Sequence, residues 1–188
     1  MNANVLRPLF VSAAAVVAIA LTACGAPDDA SGESDLKGTA PSVGKTTKEA
    51  LSKLAPSVTL GFLGEDSGEF CTATLRYGPV EEFSREKVLS TFGFNPSLHV
   101  DKDGFAFSTV DPSDQEFWDT FIDSQDGDDG AQAAKDVADL LSQNDDVLDL
   151  ATMVVDDDRS FEATAFLVAR MSDKSLVALR GDIGGMSF

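Results

Sequence analysis

Apolar positions along the chain fall into three regimes. The first is a nearly unbroken run, "LFVSAAAVVAIALTAC", over residues 9–24. The second recurs every three or four residues, as one face of a helix does. Ala50, Leu51 and Leu54 predict a short helix that Pro56 stops, with Thr46 and Glu49 as its capping box. Phe83, Val88 and Leu89 predict another within "PVEEFSREKVLSTFGF", with Gly93 near its end. "DPSDQEFWDTFI" opens a helix or turn with Asp111 as its cap and Pro112 at the first position. The clearest helix is "AQAAKDVADLLSQN", where Ala134, Val137, Leu140 and Leu141 share a face. "DSQDGDDG", just before it, reads as an acidic loop. The third regime alternates, as strands do. "VTLGFLG" and "EFCTATLRYG" predict two strands joined by the turn "GEDSG", and Phe105, Phe107 and Thr109 alternate after a turn at Asp103-Gly104. "VLDLATMVV" predicts a further strand. The chain closes on "FEATAFLVARM", the turn "SDKS" and "LVALRGDI", an antiparallel hairpin. Strands mixed with helices, ending in a hairpin, predict an α+β fold layered around one sheet.

The first regime is about as long as a secretory signal core and short for a membrane span. Arg7 supplies its basic start, and small residues precede Cys24. Leu21, Ala23 and Cys24 resemble the Leu-x-[Ala/Ser/Gly]-Cys box of bacterial lipoprotein signals. That resemblance implies a signal peptide over residues 1–23, a diacylglyceryl group on Cys24 Sγ, and cleavage that makes Cys24 the first residue. Each buried CH₂ contributes ~0.8 kcal/mol, so the two or three acyl chains of such an anchor hold where one does not. Residues 25–45, rich in Gly, Ser, Pro and Asp, have no apolar period and predict a flexible tether. The expected organisation is therefore signal 1–23, lipidated Cys24 and tether 24–45, and one domain over 46–188. The expected location is extracytoplasmic, anchored to the cell membrane or outer membrane.

Charge narrows the partners. The chain carries 14 basic and 32 acidic side chains, a net charge of −18. Loss of Arg7 with the signal moves it to −19. So acidic a protein is not expected to bind nucleic acid directly, because both are polyanions. A cationic protein or ligand is the expected partner. Of the two cysteines, lipid on Cys24 would leave Cys71 without a disulfide partner. Cys71 lies in an alternating apolar pattern and reads as a small buried hydrophobe.

No catalytic constellation stands out. His99 is the single histidine, too few for a His-based zinc site, and the cysteines cannot form a thiolate cluster. No phosphate-binding glycine loop or nucleophile elbow is present. "DKDGFAF" reaches its glycine too early for a calcium loop, and the other acidic runs miss that register. No cofactor or metal is expected, and binding is favoured over catalysis.

Three stretches in order resemble the nuclease A inhibitor family, small acidic proteins that block a sugar-non-specific endonuclease. They are "TLGFLGEDSGEF", "STVDPSDQEFWDTF" and "ATAFLVARMSDKSLVALRGDI". The resemblance extends over about residues 46–186. Glu65 matches the family's loop glutamate, while Gly64 stands where the family has serine. The resemblance implies a three-layer α/β/α sandwich around a mostly antiparallel sheet. It also implies that a loop acid, an aromatic and the C-terminal carboxylate enter the nuclease cleft. Those residues would be Glu65, Phe117 or Trp118, and Phe188. The alternative is a lipid-anchored envelope protein that binds another cationic protein or ligand.

Overall fold

The computed structural model describes residues 42–63, 72–94, 107–157 and 162–183. Cys24, Glu65, Cys71, His99 and Phe188 lie outside them, as does the Asp103-Gly104 turn.

Helix α1, Val43–Leu54, leads into a 3-10 turn, Ala55–Ser57, and a second 3-10 turn, Gly61–Leu63. Strand β1 is Thr74–Pro79, helix α2 Arg85–Thr91 and strand β2 Ser108–Val110. Helices α3, Gln115–Asp123, and α4, Gly127–Ser142, follow as a pair. Strands β3, Val147–Asp157, β4, Glu162–Met171, and β5, Ser175–Ile183, complete a five-stranded sheet in the order β1-β5-β4-β3-β2. Every neighbouring pair is antiparallel. The fold is α+β and ends in the hairpin β4–β5.

Side-chain parity on the strands shows how the layers form. Leu150, Val154, Ala165, Leu167, Ala169, Val177 and Leu179 point to one face, where α1, α3 and α4 supply Leu51, Phe121, Ala134, Val137 and Leu141. Met153, Val155, Phe166, Val168, Leu176 and Ala178 point to the other, where α2 supplies Val88 and Leu89. The sheet is thus covered on both sides, and the middle strands read as nearly continuous apolar runs because they are buried twice over. Phe166 sits between Phe92, stacked at 5.7 Å, and Phe94, edge-on at 5.7 Å. On the same face Arg170 pairs with Asp149 of β3 and lies 5.7 Å over the Phe83 ring. Arg180 lies likewise 5.9 Å over the Phe94 ring, so that face carries charge at its rim and phenylalanine at its centre.

Helix α1 begins four residues earlier than the Thr46 cap predicts. Ser42 is its cap, accepting from Lys45 N at 3.2 Å. The first turn is also held from the far end of the chain: Asp173, in the β4–β5 turn, accepts from Gly44 N at 3.0 Å and from Ser175. Gly44 permits that approach, since a Cβ there would sit 1.7 Å from Ser175 Oγ. The domain therefore starts inside the stretch read as tether.

Partial burial pushes the Asp173 carboxyl up. Hydrogen bonds from Ser175 Oγ, Gly44 N, Ser175 N and Ser42 outweigh that and hold it below the ordinary 3.8. A depressed carboxyl stabilises the fold above its unfolded value and loses that contribution as pH falls through the folded value. Asp173→Ala should therefore melt below the wild type at pH 5–7, and the gap should close as pH drops under about 3.8. Thermal melts of both proteins across that range check it.

Candidate partner-binding surface

Two segments expected to differ in character come together at one edge of the α1/α3/α4 layer. Residues 58–63 were expected as a strand. Instead residues 58–60 belong to no strand, although Val58 O accepts from Ala73 N at 2.7 Å, and Gly61–Leu63 turns. The reason is a side chain 66 residues away. Gln125, just past α3, accepts from Thr59 N at 2.8 Å and donates to Thr59 O at 3.0 Å. Its Nε2 also donates to Phe121 O at 2.9 Å. One amide thus supplies the partners a neighbouring strand would, and it pins the segment to α3.

That clamp delivers Phe62 onto α3. Its ring meets Phe117 edge-on at 5.6 Å and Phe121 at 5.4 Å. Phe117 in turn meets Trp118 at 4.9 Å, and Trp118 meets Phe121 at 6.1 Å. The four rings divide by exposure. Trp118 is 3% exposed and Phe121 0%, whereas Phe62 and Phe117 are half-buried at the rim. Of the aromatic pair named by the resemblance, only Phe117 keeps surface to give a partner. Trp118 is a core side chain, and its Nε1 donates to Pro112 O at 2.8 Å. That bond lets an indole lie inside without an unpaired N–H.

The rim around Phe117 is anionic. Asp114, rather than Asp111, caps α3, accepting from Glu116 N at 3.0 Å and Phe117 N at 3.2 Å. Asp111 makes a turn of its own with Ser113, whose N–H and hydroxyl hold the Asp111 carboxyl below 3.8. The expected acidic loop is mostly helix: α4 starts at Gly127, whose φ is 73°. Asp128 and Asp129 fall in its first turn, where the helix dipole favours them. From Asp111 to Asp129 the chain carries eight carboxylates and no cation, so the field over this edge is negative. Asp119 takes its partner from a neutral amide, Gln115 Nε2 at 2.8 Å, which leaves its charge uncancelled.

Phe62 and Gln125 were not singled out by sequence. A phenylalanine in an apolar run and a glutamine in an acidic one carry no signal of their own. Only the fold brings them together. Glu65 comes three residues after Phe62 in the sequence and lies outside the described residues. Among the described residues no group of three or more His, Cys, Asp or Glu is placed to hold a metal ion.

Gln125→Glu tests the clamp. The new carboxylate would face two backbone carbonyl oxygens with no proton to offer, at a cost of about 1–3 kcal/mol. Its folded pKa would rise above the ordinary 4.3 or so, so the deficit relative to wild type should appear as pH climbs through that range and shrink at lower pH. Paired denaturant titrations at several pH values read it.

No family model matches the chain, and no curated protein matches it.

Proposed function

We propose that the chain is a lipid-anchored binding module, not a catalyst. In this reading its Phe62–Phe117 edge and the adjoining carboxylates hold a cationic protein. The observation that carries this reading is the Phe62–Phe117 contact, because it puts the segment leading to Glu65 against the aromatic of α3. An apolar anchor inside a rim of one charge is what a high-affinity polar interface uses: the ring supplies buried area and the rim steers approach. The partner class to test first is a sugar-non-specific nuclease, whose cleft must be cationic to hold phosphates. The resemblance over residues 46–186 supports that choice, and α/β/α layering is the architecture it implies. In this reading Glu65 and Phe117 enter the cleft, joined by the Phe188 carboxylate, and Trp118 supports the site from within.

The test is titration of the full chain into such a nuclease from the same cells. The reading expects activity to fall in proportion to added protein until one equivalent is present. Undiminished activity at large excess would discard the nuclease and leave the envelope-binding alternative. The anchor is tested separately. Cys24→Ser should leave the protein unprocessed or release it from the membrane fraction, and a variant that fractionates and migrates like the wild type would remove the lipid.

A further inference from the structure

Strand β3 contains a bulge whose position core packing dictates but whose side chain it does not. Val147 and Leu150 both pack on the α1/α3/α4 side of the sheet. They are three residues apart, so strict alternation would put them on opposite faces. The bulge restores the parity: Val147 pairs with Met171, Asp149 pairs with Arg170, and Leu148 is the residue left over. A polar side chain could fill that position without exposing apolar surface. The residue there is leucine, and among the described residues it is the large hydrophobic that stands exposed, at 53%. A single exposed leucine is ordinary, and its surroundings are what give this one a role.

The register sets Leu148 at the end of the sheet where the acidic turn lies. Val110 of β2 pairs with Leu150, and two residues beyond that pair come Pro112 on one chain and Leu148 on the other. Asp114 N donates to Asp111 O at 2.9 Å, and α3 starts from the Asp114 cap with Phe117 as its third residue. The turn therefore links the strand beside Leu148 to the helix that carries Phe117. Carboxylates bracket the leucine: Asp145 and Asp146 precede it, Asp149 follows it, and Asp111 and Asp114 belong to the turn. Asp149 is matched by Arg170. Asp146 accepts from the neutral Ser172 hydroxyl at 2.5 Å and keeps its charge. Lys174 lies in the adjoining hairpin turn beside Asp173, and Lys48 is across the sheet, over Tyr77 of β1. The charge around Leu148 is therefore negative.

We infer that Leu148 is a second apolar anchor for the cationic protein, so that the contact surface runs from Phe62 and Phe117 across the Asp111–Asp114 turn to the β3 bulge. This rests on the partner reading given above. An acidic surface is repelled by these carboxylates, and an uncharged one would strip them of water without replacing it. A cationic protein with an apolar patch satisfies the rim and covers the leucine together. A residue outside the ladder also reaches a partner without disturbing the strands that carry it.

The experiment places photoreactive benzoylphenylalanine in the full chain, in its own cells, at Leu148 or at Phe117, with melts to show that each chain is folded. Irradiation should join both positions to the same basic protein, identified by mass spectrometry. That protein is then purified and its release timed from the wild type, Leu148→Ala and Leu148→Asp. Both variants should melt like the wild type. Covering the exposed half of a leucine predicts release about three- to tenfold faster from Leu148→Ala. Leu148→Asp separates anchor from rim: it adds a carboxylate, so association should hold or quicken, while release should still be faster. Release unchanged in Leu148→Ala, or binding by Leu148→Asp as tight as the wild type, overturns the anchor. Capture at Phe117 with none at Leu148, or of a different protein there, overturns it while the partner reading stands. Capture at neither position overturns both. A shared basic partner that is not a nuclease removes the nuclease and leaves the anchor in place.

Discussion

Trp118→Ala should lower the stability of the domain by about 3–5 kcal/mol, the range for removing a large buried aromatic. The ring is 3% exposed and sits among Phe117, Phe121 and the apolar face of the sheet. Its removal leaves a cavity and strands the Pro112 carbonyl that now accepts from Nε1. A second variant separates those two effects. Trp118→Phe keeps most of the volume and loses the hydrogen bond, so it should cost nearer 1 kcal/mol. Denaturant unfolding of the three proteins gives both numbers. Loss of partner binding by Trp118→Ala should follow its loss of folded protein, and the folded fraction should bind normally once temperature or salt restores it.

The largest expected effect on binding belongs to Glu65. Glu65→Ala should weaken the complex with a cationic cleft by roughly 2–4 kcal/mol, because a desolvated charge left opposite the missing carboxylate loses its partner. Phe117→Ala should cost binding as a lost anchor. It should cost less stability than Trp118→Ala, since Phe117 is half-buried at the rim. A calorimetric titration beside a thermal melt reads both quantities on the same samples. If both variants bind like the wild type and fold normally, the edge named here is not the contact surface, whatever the partner.

The parts of this molecule that are legible in its sequence are those whose backbone partners are close in the chain or repeat regularly. The terminal hairpin is one: its turn, with Lys174 at φ 65°, joins strands that pair over Ala163–Arg170 and Leu176–Ile183. Helix α4 is another, because Ala134, Val137, Ala138 and Leu141 keep a helical period into the core. Its first turn escapes notice because Gly127 and two aspartates look like loop. Capping by Asp114 in place of Asp111 is a matter of three residues in a stretch where either carboxylate could serve. Residues 58–63 are misread for a deeper reason. Their apolar alternation is real, but Thr59 is satisfied by the Gln125 side chain, and no local rule foretells so distant an amide. The candidate site shares that fate. Phe117 was nameable from a resemblance, whereas the ring that meets it and the amide that positions it are products of tertiary structure.

The central claim is that this edge engages a cationic protein through its carboxylates and an aromatic anchor. The most direct measurement is the association rate of the full chain with a purified sugar-non-specific nuclease, followed by stopped flow as ionic strength is raised. The account predicts fast association that slows steeply with salt, while dissociation changes little, as charge steering requires. An association rate indifferent to salt, or no detectable complex at low salt, would contradict it.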